Sequence, residues 1–447
     1  MATAPGRGAV AIVRVSGPDV RGVIERLGLG PLQPRRASLR RLVSPGGEGA
    51  VDRVLATFHP GPSSYTGEDL VEIGCHGGAL LPQLVLDATF AAGARPAAPG
   101  EFTRRAYLNG RVDLLQAEAT ADLVDAGAPA LGRAALDQLE GGLSRRIASL
   151  REGLVEAQAL VAYEIDFPEE DEGPIDPARV AGAASELLAT LDDLLRLAPE
   201  GEMLREGALT VIAGRPNAGK SSLFNVLVGF ERAIVTEHPG TTRDAIEAVV
   251  SVQGYPFRLV DTAGLRADPD HVEEIGIEVA RSYLARAAVV LFCVEDGRVL
   301  DPEERAFLGA SSSTARWILV RTKAEGGEPG AERDATAGKP DGLPVARVSS
   351  RSGEGIPELR SLLLQAAFAG LRAAGEAPLV TRRRHVRALH AAREEVGAFA
   401  RARAGGLPPE VAVTHLQEAT LRLEELLGVV GTEEILDAVF ASFCIGK

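Results

Sequence analysis

The chain opens with short apolar stretches broken by glycine-proline turns. Val10 to Val15, Val51 to Phe58 and Leu70 to Gly74 read as strands, and Ala79 to Phe90 as a helical patch. Residues 1 to about 118 therefore predict an α+β domain. From about Leu114 to Met203 the apolar period lengthens to that of a helix. Leu136, Leu139, Leu143, Ile147, Leu150 and Leu154 keep three-four spacing, which predicts one apolar stripe facing a partner. The acidic, proline-broken run from Asp166 to Pro174 interrupts this pattern and reads as a solvated loop.

Between about 207 and 370 strand and helix alternate. Strands are predicted at 208 to 213, 245 to 252, 256 to 261, 288 to 294, 316 to 321 and 344 to 349, with helices after 220, 272, 302 and 356, the doubly wound α/β pattern. After Pro378 the helical period returns. Each flanking helical stretch shows a single apolar face, so the economical arrangement is one helical domain, 119–206 with 376–447, into which an α/β domain, 207–375, is inserted behind the N-terminal domain, 1–118. Gly375 to Pro378 would form the return linker.

A length of 447 residues fits about three domains. A formal net charge of -14 argues against blanket nucleic-acid binding, so a nucleic-acid partner would be met by a local basic face or brought by another protein. Cys75, Cys293 and Cys444 have no CxxC or zinc spacing, which fits a reducing compartment. No window reaches the ~18 apolar residues of a membrane span and no leader pattern opens the chain, so a cytoplasmic protein without a membrane partner is expected. Nearly every cation is arginine; lysine stands only at 220, 323, 339 and 447.

Lys220 lies in Gly214-Arg215-Pro216-Asn217-Ala218-Gly219-Lys220-Ser221-Ser222, which matches G-x-x-x-x-G-K-[ST]. Backbone N–H groups of such a loop close on phosphates, Lys220 reaches the β/γ oxygens, and Ser221 ligates Mg²⁺. The strand before it and the helix after it supply the required context. Asp261-Thr262-Ala263-Gly264 ends a later strand, where Asp261 can hold Mg²⁺ through water and the Gly264 N–H can meet the γ-phosphate. Pro239-Gly240-Thr241-Thr242-Arg243-Asp244 offers Thr242 as a second Mg²⁺ hydroxyl. Thr322-Lys323-Ala324-Glu325 stands where GTPases carry Asn-Lys-x-Asp to read guanine, and Ser349-Ser350-Arg351 would be the last base-contacting turn. Glu325 is a methylene longer than Asp, so guanine selectivity with some loss of affinity is expected. Leu265 occupies the place of the water-orienting glutamine of Ras-like proteins, which leaves Asp268, Asp270, Glu273 and Glu274 as candidates for that task.

GRPNAGKSS, TEHPGTTRD, DTAGLR, PGRGAVAIVRVSGP, SYTGEDLVEIGCHGG, PGEFTRRAYLNGRVDLLQAEA and the terminal FCIGK together resemble the tRNA modification GTPase family MnmE (TrmE) over nearly the whole chain. The resemblance implies an N-terminal α+β folate-binding domain, an all-α helical domain and an inserted Ras-like P-loop GTPase domain. It implies a homodimer through the N-terminal domains and an FAD-dependent partner, MnmG. With that partner an aminomethyl or carboxymethylaminomethyl group would be added to C5 of the wobble uridine of certain tRNAs, from 5-formyl- or methylene-tetrahydrofolate. By motif, Asn217, Thr236, His238 and Thr241 match K⁺-coordinating positions, and Glu237 lies among them in the nucleotide-binding segment. Glu273 matches the water-orienting glutamate, with Lys220 and Arg243 as its catalytic companions. Arg14, Glu72, Arg111 and Lys447 match folate contacts, with Arg14 and Arg111 suited to the glutamyl tail and Glu72 to the pterin edge; as plain structure, Glu72 could instead pair with Arg14. Cys444 reads either as a nucleophile near the folate or as a buried, inert thiol. Cys75 and His76 read as structural, and Arg382 to His385 as a tRNA-facing patch or a helix face capping the acidic run. The family's first strand begins several residues before the PGRG turn, so either the start codon is placed late here or the edge strand is missing, and its absence would weaken the N-terminal sheet and the folate dimer.

The competing reading is a ribosome-assembly switch of the Era or EngA kind, which shares PGTTRD and carries a KH-type module. Gly428 to Gly431 fits a GXXG loop, but it sits among leucines and glutamates. A P-loop ATPase is disfavoured by the TKxE and PGTTRD pair.

Overall fold

The computed structural model describes residues 1–47, 49–166, 176–230, 247–262, 282–309, 315–325, 342–375, 378–429, 433–441, 443 and 446. The chain forms two compact units, one of Met1–Ala121 with Glu424–Lys447 and one of Asp122–Leu423.

The first unit contains β1 (Val10–Ser16), α1 (Val20–Arg26), β2 (Ser38–Val43), β3 (Ala50–His59), β4 (Leu70–His76), α2 (Leu81–Ala91), α3 (Glu101–Leu108) and most of α4 (Leu114–Val124). Its sheet is antiparallel in the order β1-β4-β3-β2. Strand alternation sends Val13, Val54, Val71 and Ile73 into a core with Val20, Ile24, Val85 and Ala88 of α1 and α2. The opposite face leaves Val10, Leu39 and Leu55 60%, 54% and 53% exposed. β2 and α1 are not predicted by the apolar pattern. The sequence SLRRLV buries only Leu42 fully, and Arg40 is tied down by donating to the Leu29 carbonyl at 2.9 Å.

The second unit runs through α5 (Pro129–Leu139), α6 (Gly142–Asp166), α7 (Pro177–Arg196), α8 (Ala198–Glu206), β5 (Ala208–Gly214), α9 (Lys220–Phe230), β6 (Glu247–Val252), β7 (Tyr255–Asp261) and β8 (Val289–Glu295). It continues with α10 (Pro302–Gly309), β9 (Arg316–Thr322), β10 (Val345–Arg347), α11 (Ile356–Ala374), α12 (Arg383–Ala404) and most of α13 (Pro409–Leu427). The sheet order is β10-β9-β8-β5-β7-β6, parallel except for the β6–β7 hairpin. β8, VVLFCVE, is buried at every position but the last, as a central parallel strand covered on both faces requires. The acidic run at 167–174 and the helix expected after 272 lie outside the described residues, at least in part.

The stripe from Leu136 to Leu154 is broken. Gly141, at φ +85°, ends α5 and resets the helical phase, so Leu136 is 46% exposed while Leu143, Ile147, Leu150 and Leu154 are buried on α6. Helices before and after the parallel sheet do pair with each other. Gln158 donates to Thr420 Oγ1 at 2.8 Å, Arg403 meets Glu164 at 2.6 Å, and Arg393 meets Asp192. Where the chain passes into and out of the sheet, Asp122 accepts from Arg205 Nε at 3.0 Å and from Arg382 at 2.7 and 3.0 Å. Arg383 pairs with Glu206 at 3.1 Å, and His385 is fully buried. The 382–385 basic run is therefore engaged with neighbouring segments.

Two further contacts shape this unit. α5 and α8 share one core with the sheet and α11, including Leu131, Leu204, Phe257 and Phe368. At Phe368 (φ −136°, ψ 27°) α11 kinks, and the Glu200 carboxylate accepts from the Gly370 and Leu371 N–H groups at 3.0 and 2.6 Å. The expected helical domain reached residue 447, but the last helix, α14 (Glu433–Ala441), belongs to the first unit. Its Leu436, Val439 and Phe440 are buried with Leu114, Ala117 and Ala121 of α4, and Asp437 pairs with Arg104 of α3 at 2.8 Å. The apolar face of the C-terminal segment is satisfied there.

Candidate nucleotide site

β5 delivers the chain to the phosphate loop, and the loop's backbone depends on its sequence. Gly214 has φ +140°, and a Cβ there would lie 2.4 Å from the Cys293 carbonyl oxygen. Asn217 takes the left-handed conformation at φ +60°, and Gly219 at φ +81° lies against Thr322. The loop closes on the N-terminus of α9, the end at which unpaired N–H groups and the helix dipole favour anions. A cavity of about 530 Å³ opens here, lined by Asn217, Lys220, Ser221, Ser222, Thr262 and Lys323 among others. Lys220 is 7% exposed, and its Nζ donates to the Gly214 and Arg215 carbonyls at 3.0 and 2.8 Å.

β7 brings Asp261, 6% exposed, opposite Ile212 of β5, and Thr262 Oγ1 donates to the Ile212 carbonyl at 2.8 Å. Burial pushes the Cys293 thiol up to about 12, with Lys220 lowering it and Asp261 raising it by smaller amounts. That thiol is fully buried behind Gly214 and inert.

At the end of β9, Thr322 is 1% exposed, and its hydroxyl lies 2.7 Å from the Ala218 carbonyl, to which it donates. The base-loop position is thereby tied to the phosphate loop. Lys323 is left-handed at φ +58° and pairs with Glu295 at 3.2 Å. Ala324 N–H donates to the Val348 carbonyl at 3.1 Å, which joins the TKAE turn to the segment carrying Ser349, Ser350 and Arg351. Ser349 is buried and accepts from Ser352 N–H at 3.1 Å, while Arg351 and Glu325 approach to 3.7 Å on the surface.

The structure thus brings together Asn217, Ala218, Gly219, Lys220, Ser221, Ser222, Asp261, Thr262 and the 322–325 and 349–351 turns. Thr236, Glu237, His238, Pro239, Gly240, Thr241, Thr242, Arg243, Ala263, Gly264, Glu273, Cys444 and Lys447 lie outside the described residues. No group of three His, Cys, Asp or Glu side chains suited to a metal occurs among the described residues. Cys75 is buried with its Sγ 3.4 Å from the Ala11 carbonyl, and His76 pairs with Asp52 at 2.8 Å.

A second cavity, of about 330 Å³, lies in the first unit, with Arg14, Phe90, Arg95, Glu101, Arg105 and Gly446 in its wall. Arg14 Nε donates to Glu72 at 2.8 Å across paired strands. Arg111 is exposed, with its side chain against Gly67, and does not line the cavity. Glu101 is held down at about 2, first by hydrogen bonds from Arg95 and then, against the cost of burial, by Arg105 and the Ala98 N–H. Sequence reasoning passed over Arg95, Glu101 and Arg105, although the last two stand in the motif PGEFTRRAYLNG.

A mostly parallel sheet of this order with a formed phosphate loop at the strand ends defines a P-loop nucleotide hydrolase. The profile described as GTP-binding protein TrmE N-terminus matches residues 1–111, and that of the MnmE helical domain matches residues 114–444. The tRNA modification GTPase MnmE of Chloroflexus aurantiacus is 42% identical over 100% of this chain and 98% of its own length. Those of Azoarcus sp. and Neisseria meningitidis serogroup C are 41% and 40% identical, over 100% of this chain and 97% and 98% of theirs. The chain belongs to the tRNA modification GTPase MnmE family. It is a GTP hydrolase of tRNA modification. No helix among the described residues is long and apolar enough to cross a membrane.

Proposed function

We propose that the chain is a K⁺-stimulated, Mg²⁺-dependent GTPase that works as a cytoplasmic homodimer with an FAD-dependent MnmG partner. Together they would add an aminomethyl or carboxymethylaminomethyl group to C5 of the wobble uridine of certain tRNAs, drawing the carbon from a tetrahydrofolate. The observation that carries this reading is the presence, in one chain, of a formed phosphate cradle and a separate arginine-walled cavity in the N-terminal unit. Arg14, Arg95 and Arg105, paired here with Glu72 and Glu101, would exchange or share those partners with the carboxylates of a folate tail. The uncovered sheet face with Val10, Leu39 and Leu55 supports pairing of two N-terminal units.

The residues of the cradle fit the ions. Ser221 lines the cavity beside Lys220, Asp261 is buried at the adjoining strand end, and Asn217 is held left-handed at the loop's rim. Mg²⁺ at Ser221 and Thr242, and K⁺ at Asn217, Thr236, His238 and Thr241, would supply positive charge to the β/γ-phosphate oxygens. Lys220 leaves its two loop carbonyls to bind those oxygens, Glu273 orients the attacking water, and Arg243 adds positive charge. Thr322 holds the base loop against the phosphate loop while Glu325 accepts from the guanine N–H groups.

Replacing K⁺ with Na⁺ should slow GTP turnover, and Glu273→Ala should preserve GTP binding while losing most hydrolysis. Indifference to the cation would remove Asn217 from its role; unchanged turnover in the variant would remove Glu273. Failure of 5-formyltetrahydrofolate to bind the full chain would contradict the one-carbon assignment.

A further inference from the structure

Arg215, the first variable residue of the phosphate loop, does not line the cradle, although Gly214 and Pro216 on either side of it do. Its side chain turns instead to the start of α10. There Asp301 and Glu304 cap the helix reciprocally: Glu304 N–H donates to Asp301 Oδ1 at 2.8 Å and Asp301 N–H to Glu304 Oε2 at 3.1 Å. The two remaining carboxylate oxygens lie within ion-pair distance of arginines. Arg215 reaches Asp301 Oδ2, and its Nε lies 3.4 Å from Glu304 Oε1; Arg298 also meets Glu304 Oε1. The Glu304 side chain is only 6% exposed. Arg298 in turn accepts, through its backbone oxygen, from Arg321 at 2.6 Å, one residue before Thr322 of the base loop.

We infer that Arg215 is a positioning residue for GTP binding, fastening the phosphate loop to the capped end of α10 and neutralising the carboxylates gathered there. Two physical effects follow. The Arg215 carbonyl is one of the two that hold Lys220, so fixing this residue by its side chain fixes the point from which the lysine departs to the phosphates. Asp301, Glu303 and Glu304 also form a cluster of three carboxylates, Glu303 lying 3.9 Å from the Arg215 guanidinium. With Arg215 and Arg298 present, three negative charges face two positive ones; without Arg215 they would face one, beside a site that must accept a polyanion. The inference rests on the GTPase assignment, and bears on affinity rather than on the bond-breaking step.

The test measures nucleotide affinity and steady-state turnover in the full chain with a fluorescent GDP and with GTP. Arg215→Gln should weaken GDP and GTP alike by about tenfold, with the loss in kcat/KM falling on KM and the deficit growing at low salt. Arg215→Lys should recover part of the affinity. Glu304→Gln should weaken binding too, and the double variant should lose less than the product of the two single losses, because both act through one contact. Equal losses in kcat and kcat/KM, multiplicative losses in the double variant, or unchanged affinity in Arg215→Gln would overturn the assignment. If the parent chain itself fails to bind GTP, the GTPase assignment falls instead.

Discussion

Glu101 gathers Arg95, Arg105 and the Ala98 N–H around one carboxylate in the wall of the N-terminal cavity, at 2.6 to 3.1 Å. Its folded-state value of about 2 lies below the ordinary 4.5, so its stabilisation is complete above 4.5 and is lost as pH falls towards 2. Thermal melts of the parent chain should therefore fall more steeply across that interval than those of Glu101→Gln; parallel profiles would contradict the assignment. At this scale the phosphate-loop residues and Asp261 were legible because each is fixed by local chemistry: a left-handed turn, a lysine, a helix start, a strand end. Arg215 with Glu304 was not legible, because their meeting depends on β5 and β8 lying side by side in the sheet. Thr322 was legible as a position but not as a tether. Its bond to Ala218 exists only once the base loop and the phosphate loop face each other.

Strands buried on both faces, such as β5 and β8, announce themselves as apolar runs, and the chain's order of strand and helix over 207–370 was readable for that reason. Edge elements were harder. β2 carries two arginines and buries one leucine fully, too little apolar signal to separate it from a loop. The Leu136 to Leu154 stripe misled because regular spacing passed through Glu140-Gly141, where the helix stops. The kink of α11 was invisible for another reason: the acceptor that substitutes for the lost helical bonds, Glu200, lies far away in sequence on α8. Glu200→Ala leaves two N–H groups without that acceptor and should destabilise the second unit by about 1–3 kcal/mol in urea unfolding. An unchanged midpoint and slope would show that the carboxylate does not hold the kink.

For the whole molecule, two one-faced helical stretches around an α/β segment correctly implied that the outer stretches pair. The contacts of Gln158 with Thr420 and of Asp122 with Arg382 are the physical form of that pairing. The return of the C-terminal segment to the first unit was not readable from its own period, since an amphipathic helix does not say which apolar face it will cover; α4 supplies that face. The central claim is that GTP hydrolysis in the phosphate cradle serves tRNA modification. The most direct measurement is nucleoside analysis of bulk tRNA from cells in which the chromosomal copy carries Lys220→Ala. The account predicts loss of the aminomethyl-type C5 substituents on wobble uridine, as in cells lacking the protein; undiminished levels of those nucleosides would contradict it.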